Sequence, residues 1–199
     1  MHFYKYHGEL GYRTSFEAQK AAFLRYTHTD SETFYHFSVI GGNYFIFLGP
    51  DRSVNSEEND CYVPISARQR AWLTAELEKA ARQKALAVLF LHVIEDAELR
   101  AVTDRFPGLV LFTGHTHWKF DSLQPFLPGN GKAASYINAA SVAYLWTDQN
   151  GTVESGGSVP EPGSEGLIVE VYRHFILLRG YDFAAGRWSA SAQFRLDIP

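Results

Sequence analysis

The sequence predicts an α/β fold, and two observations carry that reading. Residues 86–91 and 109–112 are apolar runs without polar alternation, the pattern of strands buried on both faces of a parallel sheet. Between them, residues 95–106 set Leu99, Val102 and Phe106 at i, i+3 and i+7 and stop at Pro107-Gly108, as a short helix would. Residues 86–112 therefore read as a β-α-β unit with parallel strands and a right-handed crossover. Parallel strands end on one edge of the sheet, and open α/β sheets bind ligands beyond those ends. His92 ends the first run, and Gly114-His115-Thr116-His117 follows the second.

The remaining elements fit around this unit. Residues 1–33 are aromatic-rich without clear periodicity, apart from a candidate helix over 15–26, and read as a chain joined mid-fold. Residues 34–40 and 44–48 are β-rich and flank Gly41-Gly42-Asn43, which predicts a hairpin. The polar stretch 51–64 reads as a surface loop. Ser66 and Gln69 match a capping box, opening a helix to about residue 84 with Trp72, Leu73, Leu77, Ala80 and Ala81 on one face. Residues 34–118 thus form an α/β core. Residues 119–199 are expected to be mainly antiparallel β, with strands near 136–138, 142–146, 167–171, 175–178 and 191–196. The Gly/Pro/Ser-rich loop 148–166 is expected between strands of one sheet, so the whole chain reads as a single partial domain.

Composition narrows the function. The chain has 199 residues, 46% of them hydrophobic and 15% aromatic, which supplies one sizeable core. A formal charge of -4 gives no reason to expect nucleic acid or an anionic membrane as partner, so a phosphate-bearing substrate would need a local positive centre. Cys61 is the only cysteine, so no intrachain disulfide is expected. With no signal peptide and no apolar run near the about 20 residues that span a bilayer, the reading is a soluble, cytoplasmic protein.

A His-x-His pair on extended chain turns both rings to one side, where they can share a metal or serve two adjacent ones. Neutral imidazole suits Zn, Fe, Ni or Cu, whereas Mn and Mg want carboxylates alongside. Gly114 is expected to let the backbone turn sharply at the strand end. His92, His115 and His117 are therefore the candidate metal ligands. His2, His7, His28, His36 and His174 have no partner at ligand spacing and read as surface or packing residues.

The order strand–His92, short helix, strand–Gly114-His115-Thr116-His117 resembles the C-terminal half of the calcineurin-like metallophosphoesterases. Residues 35–48 look like that family's hairpin, and Ile65-Ser66, Gln69, Trp72-Leu73 and Leu77 are similar to the helix before its histidine strand. Trp118, Asn138-Ala139-Ala140-Ser141, Tyr144-Leu145-Trp146 and Val169-Glu170-Val171-Tyr172 resemble one bacterial branch of phosphohydrolases. The resemblance implies a phosphoesterase sandwich, represented by its C-terminal half, and a phosphate-ester substrate. It also implies two divalent ions (Mn, Fe or Zn), with His92 and His115 on one and His117 on the other. The family's Asp-x-His, Gly-Asp and Asn-His motifs are absent from the sequence. Two expectations follow: a phosphatase or phosphodiesterase completed by an N-terminal half or an oligomeric partner, or an inactive truncated homologue that binds at most one ion. The segment after His92 is also short, with Glu95 and Asp96 expected at a helix N-terminus. Without neighbouring strands, the edge beside 86–91 is expected to be apolar and exposed.

Overall fold

A computed structural model describes residues 16–27, 32–51, 65–93, 96–121, 126–148 and 158–198. The expected surface loop falls outside these residues from 52 to 64, as do Glu95 and residues 149–157.

The alternation-free runs become neighbouring parallel strands. Helix α1 (Phe16–Thr27) precedes β1 (His36–Ile40) and β2 (Asn43–Phe47). Gly41 and Gly42 join these strands with φ of +59° and +82°, the positive pair that a two-residue hairpin turn with the right twist requires. After α2 (Ala67–Arg82) come β3 (Ala87–Leu91), α3 (Ala97–Thr103) and β4 (Leu109–Thr113), then β5 (Phe126–Leu127) and β6 (Ser135–Asn138). Together the strands form a six-stranded mixed sheet in the order β1-β2-β3-β4-β6-β5. β2, β3, β4 and β6 run parallel, and the two outer strands run antiparallel to their neighbours.

Two expectations are corrected here. The edge beside residues 86–91 is not open, because β2 pairs along β3. Residues 135–138 do not belong to an antiparallel part, since they extend the parallel sheet beside β4.

Helix α2 starts as the sequence predicts, with the Ser66 side chain accepting from the Gln69 backbone N–H at 3.1 Å. The reciprocal half of the capping box does not form. The Gln69 amide instead donates to the Gly49 carbonyl at 2.9 Å, deep in the core, and Asp51 accepts the Ser66 backbone N–H at 3.3 Å. Leu73, Leu77 and Ala80 are buried, Trp72 is half-buried, and Ala81 points to solvent instead of joining them. With α3, α2 covers one face of the sheet over Tyr44, Ile46, Leu89 and Leu111. Asp96 lies at the N-terminus of α3 as expected, there as its cap, accepting from Glu98 and Leu99 N–H groups, and Arg70 of α2 bonds the same carboxylate at 3.2 Å.

The remaining strands split into two further sheets. β7 (Leu145–Asp148) pairs antiparallel with β8 (Ser158–Glu161). β9 (Glu165–Val171), β10 (Phe175–Asp182) and β11 (Arg187–Asp197) form a three-stranded antiparallel sheet. The strands flanking the 148–166 loop therefore lie in different sheets, because the loop itself contributes β8 to pair with β7. Ile176 and Leu178 of β10 bury against Val88, Val110 and Ile137 on the second face of the large sheet. Among the described residues no helix is long and apolar enough to cross a membrane.

Candidate metal-binding site

β3, β4 and β6 stop together on one edge, where His92 follows β3, Gly114 follows β4 and Asn138 ends β6. The Gly114 N–H donates to the His92 carbonyl at 3.0 Å, so the ladder between β3 and β4 continues one step past the strands. This step brings the first two histidines together. His92 Nε2 lies 3.1 Å from His115 Nδ1, with ring centroids 4.9 Å apart and planes at 68°. One ring carries the shared hydrogen and the other accepts it. The sharp turn comes from the histidines, and Gly114 is not its source. His115 and His117 have φ of +56° and +53°, while Gly114 has no positive φ, and a Cβ built on it would only touch His92 Nδ1 at 3.8 Å. Left-handed backbone on non-glycine residues costs roughly 1–3 kcal/mol each and persists only where the surroundings enforce it.

His117 faces a different neighbour. Its ring packs on Tyr144 with centroids 4.5 Å apart, and its carbonyl accepts from Trp146 N–H at 2.9 Å. Lys119 N–H donates to the Trp146 carbonyl at 3.0 Å, so the histidine loop is laced to β7. Asn138, at the end of β6, accepts from the Thr116 hydroxyl at 3.1 Å and donates to the Trp118 carbonyl at 3.4 Å. Sequence reading gave no role to Asn138 or Tyr144. Asn138 carried a signal, a polar residue where an apolar strand runs out on the same edge. Tyr144 stood out only within the Tyr144-Leu145-Trp146 stretch of the family resemblance. Below the loop, Glu165 is 3% exposed and accepts the Phe120 N–H at 2.8 Å, and burial pushes its carboxyl pKa up.

The donor chemistry of the pair suits a metal in part. Two imidazole nitrogens each about 2.0–2.1 Å from a tetrahedral ion stand about 3.3 Å apart, close to the 3.1 Å here. Among the described residues, no group of three or more His, Cys, Asp or Glu side chains is arranged to hold an ion. The nearby Asp96 is engaged by two backbone N–H groups and by Arg70. Of the other histidines, His36 is half-buried and stacks on Phe47, and His174 is exposed. His2, His7 and His28 lie outside the described residues. Compared with protein-family models and with curated proteins, the chain matches none.

Proposed function

We propose that this chain supplies the histidine side of a divalent metal centre in a phosphoester hydrolase of the calcineurin-like kind. The observation that carries the reading is the 3.1 Å approach of His92 Nε2 and His115 Nδ1 at the ends of adjacent parallel strands. His117, two residues on, would serve a second ion, and carboxylates from residues outside the described ones or from a partner chain would complete both. When bound, such ions polarise the phosphoryl oxygens and lower the pKa of a coordinated water. The chain's own part is to hold two neutral imidazoles at a fixed spacing, with Asn138 and the β7 contacts fixing the loop that presents them.

The lack of a third ligand among the described residues supports a second reading, a module that binds one Zn without turnover. Metal analysis and hydrolysis assays separate the two. The hydrolase reading expects Mn- or Zn-dependent cleavage of bis-p-nitrophenyl phosphate, lost in His92→Ala and His115→Ala. Turnover that persists in both variants overturns it. One bound equivalent of Zn with no turnover selects the second reading.

A further inference from the structure

The floor of a cavity beside the histidine pair is built from rings. His36, Phe47, Phe90 and Phe112 stand at one register across β1, β2, β3 and β4. Their centroids are spaced 4.9, 4.9 and 5.4 Å, with interplanar angles of 17°, 10° and 13°. Helix α1 crosses above this row and roofs it with Ala18, Ala22, Phe23 and Tyr26. The half-open space is about 800 Å³, and its wall continues through His92 and Gly114. Its volume falls in the range of small-molecule sites, and its walls are almost wholly apolar.

We propose that this cavity takes the hydrocarbon part of an amphiphilic phosphoester, an alkyl or aryl phosphate whose phosphoryl end lies at His92 and His115. The inference rests on the phosphoester reading for the head of the ligand, while the cavity determines its tail. Among the described residues no Lys or Arg lines the space, so nothing there compensates a charged group for entering it. The one titratable ring in the floor, His36, has its Nδ1 buried without a partner, and burial pulls its pKa down, which disfavours a cation there. A hydrocarbon chain needs no such partner. A folded protein occupant is disfavoured because α1 lies across the row, leaving a slot rather than an open face.

Isothermal titration of the metal-free protein with butyl, hexyl and octyl phosphate tests this. Affinity should rise by about three- to fourfold per added methylene until the cavity is filled. Ala22→Phe and, independently, Ala18→Phe fill the roof from the solvent side, and both should flatten the series while melting near the wild-type temperature. Equal affinity for butyl and octyl phosphate overturns the proposal, as does an undiminished slope in both roof variants. A dimer that binds no alkyl phosphate of any length also overturns it, in favour of a second copy as occupant. The titration involves neither metal nor turnover. Metal-dependent hydrolysis with a flat chain-length series therefore sinks the cavity assignment alone. A steep series without hydrolysis sinks the hydrolase reading alone.

Discussion

His115 and His117 sit in left-handed backbone that is uncommon for any residue but glycine, at the place where the chain must present imidazoles. This conflict makes a stability series informative. At φ +56° glycine is unstrained, asparagine is tolerated, alanine is disfavoured and a β-branched residue is worst. His115 variants should therefore melt in the order Gly, Asn, Ala, Val from highest to lowest, with roughly 1–2 kcal/mol between the extremes. A thermal series with no such order would show that the loop does not hold this turn in solution. Glu165 offers a second test. Its carboxyl pKa is raised above the unfolded value chiefly by burial, and the Phe120 N–H opposes that rise. A group whose folded pKa is raised contributes stability fully below its unfolded pKa, about 4.3, and loses it as pH climbs through the folded value. Glu165→Gln keeps an acceptor for Phe120 and removes the titration. The melting temperature of Glu165→Gln relative to wild type should thus be higher at pH 7 than at pH 4, and a pH-independent difference would refute the assignment.

At the scale of elements, local signals were legible wherever one face of an element decides its fate. The absence of alternation in residues 86–91 and 109–112 yielded β3 and β4, and the two glycines after Ile40 yielded the β1–β2 hairpin with its positive φ values. Asp96 was legible at a helix N-terminus because an acid there opposes the macrodipole, and the structure makes it the cap. Partner choice was less visible. Ser66 and Gln69 read as a capping box, yet Gln69 is drawn to the buried Gly49 carbonyl, a contact twenty residues away that no local pattern announces. β6 was placed in the wrong company for the same reason. Its four residues, Ser135–Asn138, carry no mark of strand direction, which is set by the long connection from β4. The histidine pair was foreseen because strand ends on one edge converge. His117 sits at Tyr144 because the loop is laced to β7 through contacts distant in sequence.

Across the whole molecule, the three-stranded sheet does more than cover the large one. Ile176 and Leu178 fill the space between the sheets, and Gly180, two residues further along β10, lies under the histidine loop. A Cβ on Gly180 would stand 2.5 Å from the Ala192 Cβ and 2.9 Å from a Phe120 ring carbon, so any larger residue must push Phe120 aside. Phe120 is 1% exposed, follows His117 by three residues and has its N–H held by Glu165 of β9. The second sheet therefore fixes the far end of the loop whose near end is fixed by His92 and Gly114. Leu178→Ala should lower stability by about 2–5 kcal/mol through a cavity between the sheets, without singling out the loop. Gly180→Ala should cost about 1–3 kcal/mol by overpacking and act on the loop directly. In hydrogen exchange, Gly180→Ala should then lose more protection at residues 114–120 than Leu178→Ala does for the same loss of global stability. Equal local protection in the two variants would mean that the histidine loop is held by the large sheet and β7 alone.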